Sequence, residues 1–148
     1  MRPYSLLLIV LIGFATVFLA GCTQSGSSSS STSLSPQPTD AMPANIAVSV
    51  TVGEKDYLGN IPVTFNGGPG QGNVQSLRVT LTRVDGSTET ESLGSNKGDT
   101  VSLSGTRGTG SNAGESDRVE VWVSMNNGQT YKIADTLRQY RSRSGSGE

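Results

Sequence analysis

In the stretch SLRVTLTRV, residues 76–84, apolar and polar side chains alternate almost one for one. Leu77, Val79 and Leu81 fall on one side, and Arg78, Thr80 and Thr82 on the other. A period of two puts neighbours on opposite faces of an extended chain and denies a helix any single apolar stripe. The same pattern recurs. NIAVSVTV (45–52) sets Ile46, Val48, Val50 and Val52 against Ala47, Ser49 and Thr51. IPVTF (61–65) aligns Ile61, Val63 and Phe65, with Pro62 marking an edge or a strand start. DRVEVWVSM (117–125) aligns Val119, Val121, Val123 and Met125. Shorter runs at STETESL (87–93), TVSLSG (100–105) and QTYKIADTL (129–137) bring the total to seven predicted strands.

Turn chemistry falls between the runs. Asp85-Gly86 and Asn127-Gly128 each separate two alternating segments and predict β-hairpins. The segment ADTLRQYRSR permits a short helical turn, but continuation of the last strand fits better. Seven short strands over residues 45–142 predict an all-β fold, an immunoglobulin-like antiparallel β-sandwich. A small barrel is the alternative.

Ahead of that domain the chain has a different character. Arg2 is followed by an apolar run from Ser5 to Ala20. The run is too short for the roughly 20 residues that span a bilayer core. It ends in Leu19-Ala20-Gly21-Cys22, and Cys22 is the only cysteine. A basic start, an apolar middle and small residues at the end are the parts of a secretory signal. Residues 1–21 are therefore expected to be a signal peptide. The four closing residues resemble the lipobox of prokaryotic lipoproteins. The resemblance implies cleavage before Cys22 and attachment of membrane lipid to its sulfur, which places the mature chain outside the cytoplasm. A cysteine used in this way needs no disulfide partner.

Residues 22–44 carry five consecutive serines, Ser27 to Ser31, then Pro36, Pro38 and Pro43. So little apolar content reads as a disordered linker. A flexible chain of this length spans roughly 25 Å. The last residues, 143–148, are rich in Ser and Gly and read as a disordered tail.

The β-domain also resembles a known group. The blocks VTFNGGPGQGNVQSLRVTLTRVDG (63–86), GDTVSLSGT (98–106) and DRVEVWVSMNNGQTYKIADT (117–136) look like the globular domain of archaeal type IV pilin-like proteins and related archaeal surface lipoproteins. The shared features are strand alternation, a Gly-Gly after one strand and a final hairpin with a glycine turn. The lipobox-like start departs from the pilin pattern, which keeps a long N-terminal helix. The resemblance implies a cell-surface setting and an adhesive or structural role.

The residue inventory narrows the chemistry. The chain has no histidine, which removes the commonest general base and every Ser-His-Asp or Cys-His arrangement. No cofactor and no metal site are expected. Glu115 and Asp117, flanked by Asn112 and Ser116, match no standard calcium loop and read as solvated loop acids. GTGSNA (108–113) satisfies a dinucleotide-binding consensus only formally, because a strand follows where a helix is required. Removal of residues 1–21 takes away Arg2 alone among charged residues and moves the net charge from −1 to −2. That balance does not suit a nucleic-acid partner.

Three groups remain as contact candidates. Gly67, Gly68 and Gly70, in GGPGQG, read as a mobile connection whose glycines could meet a ligand. Trp122 is the only tryptophan and should lie on the outward face, to stack on a sugar, anchor a partner or pack on Arg and Lys stems. Arg138, Arg141 and Arg143 surround Tyr140 and could meet an anionic surface or simply be solvated. The expected role is a non-enzymatic, lipid-anchored surface protein that presents its sandwich for envelope interaction or adhesion. The alternatives are a glycan- or small-ligand-binding module and an accessory subunit of an envelope complex.

Overall fold

The computed structural model describes residues 34–107 and 116–140. Cys22, Leu19, Ala20 and Gly21 lie outside them, as do the 108–113 motif, Glu115, Arg141 and Arg143.

The described chain is all-β. Its strands are β1 (Ser49–Val52), β2 (Asn60–Gly67), β3 (Val74–Thr82), β4 (Thr88–Leu93), β5 (Thr100–Ser104), β6 (Ser116–Met125) and β7 (Thr130–Gln139). A short 3-10 turn, Gln71–Asn73, joins β2 to β3. One sheet has the order β1-β2-β5 and the other β4-β3-β6-β7, all pairs antiparallel. This is an immunoglobulin-like sandwich. It differs from the constant-type arrangement, in which the fourth strand joins the first sheet.

The alternation read from sequence becomes burial. Ile61, Val63 and Phe65 of β2 and Leu103 of β5 face Leu77, Val79 and Leu81 of β3 and Val119, Val121 and Val123 of β6, all at 2 % exposure or less. Each such side chain stabilises the fold by about 1.5–3 kcal/mol relative to its exposed state. Because the period is two, a one-residue slip of β3 or β6 would turn this set to solvent, which fixes the register.

Two local expectations are corrected. First, the ladder of β1 begins only at Ser49, with an irregularity between Ser49 and Val50. Upstream, the Ala47 carbonyl accepts from the Gly70 amide at 3.2 Å instead of joining β2. Val48 is buried nevertheless, and Ile46 packs on the core. Second, of the two placements expected for Pro62 the edge does not hold, since β2 is the central strand of its sheet; Pro62 is the third residue of β2, close to its start. Its carbonyl accepts from the Gly53 amide at 2.7 Å. Its missing N–H therefore lies on the same side, just past the last ladder residue of β1. The Gly53 carbonyl, which an N–H at position 62 would have met, accepts instead from Arg138 Nε at 2.8 Å.

Both predicted hairpins form, each with a three-residue loop. The Arg83 amide donates to the Ser87 carbonyl and the Gly86 amide to that of Arg83; Met125, Gln129 and Gly128 repeat the arrangement. Only Gly86 (φ 82°) and Gly128 (φ 81°) take positive φ in these loops. That is a type I turn closed by a left-handed glycine.

The end of the serine- and proline-rich segment packs on the domain. The Asp40 amide donates to the Lys132 carbonyl at 2.9 Å, and the Lys132 amide donates back to Asp40 Oδ2 at 2.6 Å. The Gln37 amide reaches Asp135 Oδ2 at 3.1 Å. Residues 37–40 thus run antiparallel to β7 along its outer edge, and Met42 packs against the core.

Candidate functional site

Trp122 lies on the outer face of the four-stranded sheet, opposite Arg78 of β3 and Lys132 of β7. Alternation puts it there, because Val121 and Val123 on either side point into the core. The indole is half-buried rather than free. Lys132 Nζ stands 5.8 Å from its ring centroid, a cation–π arrangement worth about 0.5–1 kcal/mol at such a site.

The same face carries a compact charge network. Arg118 Nη2 meets Asp135 Oδ2 at 2.6 Å, Arg118 Nε meets Asp135 Oδ1 at 2.8 Å, and Arg118 Nη2 reaches Glu120 Oε1 at 3.0 Å. Lys132 Nζ joins Asp135 at 3.1 Å. The Asp135 side chain is fully covered, although it points outward. Hydrogen bonding from Arg118 holds its carboxyl at about 2, against the effect of burial, with help from the Gln37 amide and Lys132. The strap of residues 37–40, Asp135 and the Trp122–Lys132 pair therefore form one continuous surface.

Gly67, Gly68 and Gly70 sit elsewhere, at the β2–β3 connection. Gly67 has φ 77° and is buried. A Cβ on Gly68 would come within 2.9 Å of Val48 Cα, and one on Gly70 would overlap the Ile46 carbonyl. Gly68 and Gly70 give the backbone of residues 46–48 room to approach. Gly67 and Gly70 are buried, whereas Gly68 and Pro69 are exposed.

Arg138 is not a solvated end. Its Nη2 and Nε donate to the carbonyls of Val52 (2.6 Å) and Gly53 (2.8 Å) and so fasten β7 to the end of β1 in the other sheet. The opposite side of the sandwich has a counterpart: Arg83 Nε donates to the Ser104 carbonyl at 2.7 Å and its guanidinium pairs with Glu89. Tyr140 Oη reaches the Tyr57 carbonyl at 3.2 Å.

One polar constellation was missed by sequence reasoning. Lys55, in the β1–β2 loop, and Asp117, on β6, form an ion pair at 2.8 Å with both side chains wholly buried. The Thr106 amide donates to Asp117 Oδ2 at 2.6 Å, and Lys55 Nζ donates to the Thr106 carbonyl at 3.3 Å. Asp117 Oδ1 has no partner and is the one buried side-chain polar atom so placed among the described residues. Asp117 is thus not a solvated loop acid. The signal was available, since 117 shares parity with the inward valines at 119, 121 and 123. Nothing comparable marks Lys55.

Among the described residues, no group of three or more acidic, cysteine or histidine side chains could hold a metal ion. No helix among them is long and apolar enough to cross a membrane. No protein-family model matches the chain, and no curated protein matches it.

Proposed function

We propose that this chain is a lipid-anchored surface protein, held outside the cytoplasm through Cys22, whose β-sandwich serves envelope interaction or adhesion without catalysis. The observation that carries the reading is Leu19-Ala20-Gly21-Cys22, placed directly after an apolar run and directly before a serine- and proline-rich segment. Thioether lipid on that cysteine, with a second acyl or alkyl group, gives stable membrane attachment. The outer face bearing Trp122, Arg78, Lys132 and the strap is the contact surface proposed for an envelope protein or glycan. Its mixed charge and single half-buried aromatic suit a polar, wet contact more than a large apolar one.

The test has two parts. Membrane extracts of expressing cells should yield a chain that starts at Cys22 and carries added lipid mass, while a Cys22→Ala chain should be lost from the membrane fraction. A chain that keeps Met1 and remains in the cytosol would sink the anchoring. Cross-linking on intact cells should then capture an envelope component at residues near Trp122 and Lys132. Capture confined to other faces would move the contact surface.

A further inference from the structure

We propose that Lys55 and Asp117 condense into an intramolecular isopeptide bond that ties the β1–β2 loop to β6. The inference is independent of where the protein resides. It starts from an arrangement that is poor as an ion pair. Both side chains are wholly excluded from water, yet Asp117 Oδ1 accepts no hydrogen bond. A buried ion pair is sustained only when its remaining lone pairs and protons are satisfied. Arg138, the residue across from Asp117 on β7, turns its guanidinium to the carbonyls of Val52 and Gly53 and gives no help.

The same arrangement suits an amide. A secondary amide presents one N–H and one carbonyl oxygen. Thr106 offers one of each complement: its amide already donates to Asp117 Oδ2, and its carbonyl already accepts from Lys55 Nζ. The atom without a partner, Oδ1, is the one that the condensation removes. Space is also closed around the pair. A Cβ on Gly105 would lie 2.5 Å from Asp117 Oδ2, so the backbone that carries Thr106 approaches only because residue 105 is glycine.

The step balances without a co-reactant. In the dry site the Lys55 ammonium passes a proton to the carboxylate, which leaves a neutral amine and a carboxylic acid. The neutral amine is the nucleophile. Nζ attacks Asp117 Cγ, and the Thr106 N–H stabilises the negative charge that grows on Oδ2. The Cγ–Oδ1 bond breaks, Oδ1 leaves as water with the acid proton and one amine proton, and Oδ2 remains as the amide oxygen.

Tryptic mapping of the full chain, purified folded and then denatured, decides the matter. Acylated Lys55 resists trypsin, so the expected product is a branched peptide joining the segment that contains Lys55 to residues 108–118, lighter by one water. Lys55→Arg should abolish the branch and restore that water. Digests that hold only cleavage after Lys55 and free 108–118 would overturn the proposal. So would a water loss that survives Lys55→Arg or maps to Asp85-Gly86, an Asp-Gly step whose chemistry permits a succinimide. If Lys55→Arg fails to fold, the wild-type digest alone gives the answer.

Discussion

At the scale of single residues, the outer face yields a pH dependence with a definite sign. Asp135 has its folded carboxyl depressed from 3.8 to about 2, chiefly by Arg118. A depressed carboxyl contributes stability that is complete above its unfolded value and is lost as pH falls through the folded one. The contribution is about 2 kcal/mol near neutrality, and it should disappear between about pH 4 and pH 2. Urea melts of the wild type and Asp135→Asn should therefore differ at pH 6 and converge towards pH 2. A constant gap would show that the carboxylate charge is not what matters. Gly70 gives a second residue-scale outcome. Its φ of −85° is open to any residue, but the space is not, because a Cβ there would overlap the Ile46 carbonyl. Gly70→Ala should cost about 1–3 kcal/mol, read from the urea midpoint, whereas Gly72→Ala, with open space around it, should cost far less.

At the scale of elements, the two arginine clamps decide how the sheets meet at their sides. Arg138→Met keeps much of the apolar stem but leaves the Gly53 and Val52 carbonyls without their donor. It should lower stability by about 1.5–3 kcal/mol, with an unchanged urea slope. Arg138→Lys should recover little, because one ammonium cannot reproduce a planar fork set between two adjacent carbonyls. The strands themselves were legible in the sequence, since a half-buried strand writes its two faces into alternate residues. Pro62 misled because its side of β2 was not readable: the missing N–H faces the place where β1 has already ended. The start of β1 misled because Ile46 and Val48 keep the apolar pattern while the Ala47 carbonyl between them accepts from Gly70. Asp117 was readable by parity. Lys55 was not, because a loop lysine looks solvated until the fold closes over it. The strap was hidden by composition, since two reciprocal bonds at Asp40 need no apolar signal.

At the scale of the whole molecule, the strap changes what the sandwich shows to its surroundings. An open sheet edge is a template for another chain, and residues 37–40 occupy part of the β7 edge. A chain lacking residues 1–42 should expose that edge and raise the fraction of dimers and larger species in size-exclusion chromatography with light scattering. Asp40→Ala, which removes only one of the bonds, should produce a smaller rise. A deletion that stays monomeric at every concentration would mean that the edge is guarded in another way. The strap also lies where the chain arrives from its N-terminal side, so any pull from that direction reaches it before it reaches the core. The Gln37 and Asp40 contacts would part in sequence, each freed residue lengthening the lead by about 3.4 Å. The first response to tension would be a short, reversible paying-out of chain along β7, with the two sheets still closed behind it.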